Sequence, residues 1–228
     1  MARRSTLHSW DLTTAEARDL QLRLAAAVDA RRPLPRYTTL AGADVSYDLR
    51  GKWLHAAVVV LRAETFEVID RSGVVAEAKF PYVPGLLSFR EAPAVIEAFE
   101  QLKVRPDILM CDGQGIAHPR RMGLASHLGL YLEIPTIGCA KSWLCGDYQE
   151  PGLTRGEWTP LTDGGETIGA VLRTRTGVKP LFVSPGHLCD LASAIAVVLA
   201  TAPTYRLPVT TRLAHQYVND LRRQRVPE

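Results

Sequence analysis

Three acidic residues stand where an apolar pattern has no use for them. Asp44 interrupts the run Leu40-Ala41-Gly42-Ala43-Asp44-Val45, and Asp112 closes Ile108-Leu109-Met110-Cys111 just before Gly113-Gln114-Gly115. Glu91 falls in the first turn of a helical segment. A carboxylate within or at the end of a buried strand is costly unless it is paired or binds a cation. Hard oxygen ligands on a sheet suit Mg²⁺ or Mn²⁺. One or two such ions on shared carboxylates can activate a water, stabilise a leaving oxygen and neutralise charge, which is what phosphodiester hydrolysis needs. Each acid also has a local alternative. Asp44 could cap a turn with Ser46, and Asp112 could end a strand before a glycine turn. Glu91 completes the capping-box pattern Ser88-Phe89-Arg90-Glu91, with Pro93 placing a helix start close by.

Two further segments carry chemistry. The loop Asp112-Gly113-Gln114-Gly115-Ile116-Ala117-His118-Pro119-Arg120-Arg121 has glycines that let backbone approach a ligand. Its His and two Arg could meet phosphates or base edges. Pro81-Tyr82-Val83-Pro84-Gly85 holds a Tyr and a Val between two prolines, a stiff turn able to enter and unstack a base stack. Its alternative is a rigid turn with Tyr82 packed on the core.

The elements that position these residues follow from pattern. Thr13-Thr14-Ala15-Glu16 is a capping box opening a helix with Leu20, Leu24 and Ala27 on one face, ended by Arg31-Arg32-Pro33-Leu34-Pro35. Strands are expected over 38–47, 53–61, 65–69 and 74–80, with Arg71-Ser72-Gly73 as a turn. A helix over 88–102, a strand over 107–112, a helix over 124–133 and a strand over 135–140 follow. Residues 146–160 read as a loop, and 167–173 with 180–184 as a hairpin. Helices over 188–202 and 211–225 close the chain. A meander followed by α–β–α–β units implies one α/β domain over 1–228, a mixed sheet with helices on its faces, with sites at strand ends.

With 228 residues, 27 Lys and Arg against 24 Asp and Glu, 46% apolar residues and 22% charged, the chain is not collagen-like, low-complexity or wholly disordered. No run approaches the ~20 apolar residues of a membrane span. No apolar stretch follows Arg3 and Arg4, so a secretion signal is not expected. Cys111, Cys139, Cys145 and Cys189 form neither a CxxC nor a zinc pattern, and reduced thiols in a cytoplasmic protein are expected. Arginines concentrate at 3, 4, 18, 23, 31, 32 and 36 and again at 222, 223 and 225, edges that suit a polyanion or, equally, a solvated face and a frayed tail.

In combination, Ala41–Tyr47, Pro81–Glu91, Asp112–Gly115 with His118–Arg121, Ile134–Ser142, Val183–His187 and Thr211–His215 resemble endonuclease V, in order and over nearly the whole chain. The resemblance implies an RNase H-like fold and a Mg²⁺-dependent endonuclease, with Mn²⁺ able to substitute. Its substrate would be DNA containing deaminated bases, above all deoxyinosine. The cut would fall at the second phosphodiester 3′ to the lesion, leaving 3′-hydroxyl and 5′-phosphate ends, in DNA repair. It implies that Asp44, Glu91 and Asp112 bind metal, that His215 lies near the metal, and that Lys141 lies near the catalytic centre. Pro81, Tyr82, Val83 and Pro84 match a strand-separating wedge, and Gly85, Leu87, Gly113 and His118 fall in lesion-pocket segments. Cys139 is a mild departure, at a place where a small or apolar residue is expected. Independently, Lys141 leaves a strand for a loop and could offset charge on a pentacoordinate phosphate. His215 lies on the last helix opposite the Leu213, Tyr217 and Leu221 stripe, and His187 fits a cap or turn rather than a ligand. Inosine-containing RNA is the alternative substrate, and a non-catalytic nucleic-acid-binding module on the same fold the alternative class; retention of all three acids disfavours the latter. A monomer with no membrane partner is expected.

Overall fold

An apolar strand such as Trp53–Arg62 is buried on both faces when it lies inside a sheet, and the eight strands among the described residues share one. The computed structural model describes residues 7–48 and 51–224, so Arg3, Arg4 and Arg225 of the basic edges lie outside the described residues. In chain order the elements are α1 (Thr14–Ala25), β1 (Thr39–Tyr47), β2 (Trp53–Arg62), β3 (Val68–Glu77), α2 (Leu87–Glu100), β4 (Ile108–Cys111) and α3 (Leu124–Leu132). They continue with β5 (Thr136–Ala140), β6 (Trp158–Asp163), β7 (Glu166–Leu172), β8 (Leu181–Pro185), α4 (Leu191–Thr201) and α5 (Val209–Gln224). The strands lie in the order β3-β2-β1-β4-β5-β8-β7-β6. β1, β4 and β5 run parallel, and the remaining pairs are antiparallel.

Strand parity sorts side chains between two cores. Ala41, Ala43, Leu109 and Cys111 face α2 and α3. Leu40, Ile108 and Met110 face the opposite way, toward α4. α5 covers β1 and β2 on that second face, and Gly42 makes this possible. A Cβ on Gly42 would lie 2.2 Å from the Thr210 carbonyl oxygen, so only glycine lets the start of α5 cross β1.

The observed elements correct the expected ones in three places. The turn over Arg71-Ser72-Gly73 is absent, because β3 runs straight through it against the long β2, with Ser72 paired to Val58 and Gly73 to Ala57. Gly73 is small because Leu221 of α5 lies over it, where a Cβ would meet the leucine at 2.2 Å. A hairpin of β6 and β7 turns at Gly164-Gly165. Its first strand contains Pro160 and buries little beyond Leu161, so it carries almost no apolar signal. Pro160 is tolerated because β6 is the sheet edge. Finally, α1 ends at Ala25, well before Arg31-Arg32-Pro33. Its Thr13–Glu16 capping box is present as expected.

A pair of histidines clips the N-terminal segment to the core. His8 Nδ1 donates to the Ser9 carbonyl at 2.7 Å, which leaves its Nε2 as an acceptor. His127 Nε2 therefore donates to His8 Nε2 at 2.7 Å, and His127 Nδ1 accepts from the Ser88 hydroxyl at 3.0 Å. Burial pushes the His127 pKa down to about 3, and His8 adds to the effect. The unfolded chain takes up that proton near 6.5, so the stabilisation is complete above 6.5 and is lost as pH falls toward 3. His127→Gln is expected to remove on the order of 2 kcal/mol from the stability lost between about pH 7 and pH 5. Groups away from this pair titrate alike in both proteins, so the difference between their denaturation curves isolates the His8–His127 pair. Parallel curves would show that the pair is not neutral in the fold.

Candidate active site

β1, β4 and β5 end side by side, and the crevice beyond the carboxyl ends of parallel strands is where sites form. Asp44 lies near the end of β1, Asp112 is the first residue beyond β4, and Lys141 the first beyond β5. α2 brings Glu91 over the same ends. Together Asp44, Glu91 and Asp112 line a cavity of about 190 Å³ that Val45, Leu87 and Leu124 help to enclose.

Each acid has a defined partner. Asp44 accepts from His215 Nδ1 at 2.7 Å and from the Val45 N–H at 2.9 Å, not from Ser46. The Asn219 amide donates to His215 Nε2 at 3.0 Å, which puts the proton shared with Asp44 on Nδ1. Asp112 is paired with the Lys141 ammonium. Glu91 accepts from the Tyr47 hydroxyl at 2.6 Å. This last contact rules out the capping-box alternative. α2 starts at Leu87 with no side-chain cap, which puts Glu91 a full turn inside the helix and 6% exposed. Pro93 likewise sits inside α2 rather than at its start.

The acids repel one another. Burial, then the neighbouring Asp44 and Asp112 charges, raise the Glu91 pKa to about 7 despite the Tyr47 hydrogen bond. Burial and Asp112 raise that of Asp44. A buried, mutually repelling set of hard oxygens is the donor chemistry that a divalent cation relieves. Among the described residues no three His, Cys, Asp or Glu side chains stand close enough to hold an ion as they are. Lys141 on Asp112 and Tyr47 on Glu91 occupy oxygens an ion would take. The donor set fits a hard divalent cation such as Mg²⁺ in kind, and to hold one the three carboxylates would draw together and give up the Lys141 and Tyr47 contacts.

The Pro81–Gly85 turn stands beside the cavity. Tyr82 is 70% exposed, so it does not pack on the core, while Val83 turns inward against Phe80, Leu86 and Phe89. Gly85 adopts φ +77°, and its carbonyl accepts from Gln21 (3.1 Å), His118 Nε2 (3.0 Å) and Arg120 (2.6 Å). Burial and the Arg120 charge lower the His118 pKa to about 4, consistent with its Nδ1 accepting from the Arg120 N–H at 3.1 Å. Leu87 joins this turn to the acid cavity.

Some expected ligand-facing groups instead hold the protein together. Arg120 also donates to Gln21 Oε1 at 2.6 Å, and Arg121 pairs with Asp163 and Glu166 at 2.9 Å each, because the unforeseen β6–β7 hairpin reaches that loop. Gly115 serves packing on β8, since a Cβ there would lie 1.9 Å from the Pro185 carbonyl oxygen, whereas Gly113 leaves ordinary space beside Leu124. His187 Nδ1 accepts from the Asp29 N–H at 3.1 Å and fixes the segment after α1, outside the site. The cysteines are free thiols, and Cys139 packs within the α4-side core. Arg18, Arg23, Arg31, Arg32, Arg36, Arg222 and Arg223 are exposed. Among the described residues no helix is long and apolar enough to cross a membrane. Tyr47 and Gly42 lie in a segment whose resemblance was evident, but no sequence signal assigned them a contact.

The mixed sheet is one shared with solved endonuclease V structures, an RNase H-like fold, and the family of those structures makes this protein a nuclease acting on phosphodiester bonds. Residues 22–216 match the family model described as Endonuclease V, and the chain belongs to that family. It is 49% identical to an endonuclease V of Trichormus variabilis over 214 residues, 93% of this chain and 97% of the relative. The crystal structure of endonuclease V from Streptomyces avermitilis superposes with a TM-score of 0.90 at 45% identity, covering 95% of this chain and 96% of that one. A Ciona intestinalis endonuclease V, solved in complex with a 24mer DNA containing an inosine followed by a ribo-adenosine, superposes with a TM-score of 0.81 at 26% identity, covering 92% and 98%.

Proposed function

We propose that the protein is a Mg²⁺-dependent endonuclease that recognises deaminated bases, mainly deoxyinosine, in DNA. The cut falls at the second phosphodiester bond 3′ to the lesion and leaves 3′-hydroxyl and 5′-phosphate ends. The observation that carries this reading is the convergence of Asp44, Glu91 and Asp112 on one cavity with Lys141 at its rim. The Ciona relative held on inosine-bearing DNA supports the choice of lesion.

Asp44, Glu91 and Asp112 would hold the ion. When bound, Mg²⁺ supplies Lewis-acid activation of water and neutralises charge on the phosphate. His215 keeps Asp44 aimed into the cavity, and Tyr47 does the same for Glu91. Lys141, released from Asp112, faces the phosphate and stabilises its developing negative charge. The water oxygen bonds to phosphorus and gives up a proton to solvent, the P–O3′ bond breaks, and the departing 3′ oxygen takes up a proton from solvent, so one water is added across the bond with no net proton change.

The decisive experiment incubates the protein with matched DNA strands, with and without inosine, in Mg²⁺ or EDTA. Cutting of the inosine strand alone, abolished by EDTA, is the expected result. Equal cutting of plain strands, or cutting in EDTA, would overturn the reading. Inosine-containing RNA is a second substrate to include, because the same carboxylates serve both and the Ciona ligand places a ribonucleotide next to the inosine.

The wedge has its own expected result. Inspecting a base inside a duplex requires extruding it, at a cost of a few kcal/mol. Pro81 and Pro84 stiffen the turn, and the Gly85 carbonyl anchors it through three donors, so little entropy is lost on insertion. Tyr82→Ala should weaken binding to duplex inosine DNA by roughly 1–3 kcal/mol, the worth of a base–aromatic stack, and weaken binding to the single strand less. Equal losses on both strands would mean that Tyr82 stacks without separating them.

A further inference from the structure

β5 gives way to four consecutive exposed residues, Lys141–Leu144. Trp143 is 54% exposed and Leu144 40%. So much open indole is unfavourable in water, and it marks a binding surface when it adjoins a functional group. The segment is also held in place. Trp143 Nε1 donates to the Gly146 carbonyl at 2.8 Å, which uses one edge of the ring and leaves its open faces available for stacking. Gln114 donates to the Ser142 carbonyl at 3.1 Å, and Arg206 to the Lys141 carbonyl at 3.0 Å. An aromatic platform held by three hydrogen bonds has little freedom left to lose when a ligand stacks on it.

Charge and reach select the occupant. Lys141 is two residues before Trp143, and Arg206 joins its backbone to that of the exposed Lys179, donating to the Lys179 carbonyl at 2.8 Å, so three cationic residues belong to the surface that carries the ring. That pattern, cations tracking a backbone beside an aromatic face, is how single nucleic-acid strands are bound. Two residues span at most ~7 Å, so the Trp143 backbone lies one or two nucleotide steps of ~3.4 Å from that of Lys141. We propose that Trp143 is a stacking platform for a base of the substrate strand within one or two nucleotides of the cleaved phosphate. This contact rests on the nuclease reading above and extends it to a subsite.

Stacking on Trp143 is independent of the lesion, and this separates the two readings experimentally. Binding is measured in EDTA, where no cutting is expected, to single strands of about 13 nucleotides with inosine or guanine at the centre. A second series carries one abasic nucleotide moved along each strand. Trp143→Ala should weaken binding roughly 5- to 150-fold, the range of one lost base–aromatic stack. One abasic position should weaken the wild type by a similar factor and Trp143→Ala no further. Trp143→Phe should keep the affinity within about threefold, because a phenyl ring still stacks, and should remove most of the tryptophan quenching seen on binding. Trp158→Phe, on the edge strand β6, is the control expected to leave both unchanged. An unchanged affinity for Trp143→Ala, or an abasic scan with no position absorbed by it, would overturn the platform. A shift of oligomeric state in Trp143→Ala with unaltered DNA binding would instead make the patch a contact between copies and overturn it too. Equal binding of inosine and guanine strands would count against the lesion reading alone, since the platform is scored on either strand.

Discussion

Asp44→Asn and Asp112→Asn should each lose cutting of inosine DNA by about a hundredfold or more while melting at or above the wild-type temperature. Groups that merely support a metal ligand are worth about 10- to 100-fold, so a ligand itself should cost at least that. The fold should survive because the carboxylates crowd one another in the cavity, although Asp112→Asn also gives up the ion pair with Lys141. Burial and the Asp112 charge raise the Asp44 pKa, so removing either negative charge relieves repulsion in the unliganded cavity. Asparagine keeps one oxygen for the Val45 N–H, and its amide can donate to His215 Nδ1 once that ring carries its proton on Nε2. Cutting rates and thermal melts on the same preparations check both halves. A variant that cuts within tenfold of wild type would remove that aspartate from the metal site.

Glu91→Gln is expected to lower cutting by a similar factor and to raise thermal stability at neutral pH. Glu91 is 6% exposed and accepts a hydrogen bond from Tyr47, which a glutamine oxygen accepts equally well. What glutamine lacks is the negative charge that a divalent cation requires and that Asp44 and Asp112 oppose. A purely structural Glu91 would leave cutting unchanged. Isothermal titration of Mn²⁺ adds a readout independent of turnover, with weaker binding by Glu91→Gln expected and wild-type affinity counting against the assignment.

Much of this site was legible without coordinates. Asp44 and Asp112 violate an apolar strand pattern, and such violations are costly enough to need a reason. The proline-bracketed turn around Tyr82 was legible because proline fixes its own dihedral wherever it falls. The strands β1, β2, β4 and β5 were legible because continuous apolar runs bounded by turn residues have few alternatives.

The sequence determined by itself which residue types are out of place, which runs must be buried, and the family to which their order belongs. Only the tertiary structure decided what those residues touch. Tyr47 meets Glu91 across 44 residues, His215 meets Asp44 across 171, and Gly42 yields its missing side chain to the backbone of Thr210. The local pattern Ser88-Phe89-Arg90-Glu91 pointed to a cap, yet burial against the sheet drew Glu91 into the cavity instead. Arg120 and Arg121 looked free for phosphate until the Gly85 turn and the weakly marked β6–β7 hairpin claimed them. The reason is common to all of these. Periodicity and propensity report the chain's neighbours along itself, whereas strand order and helix crossing set contacts between segments far apart, and those contacts decide which polar groups are satisfied within the protein and which remain for a ligand.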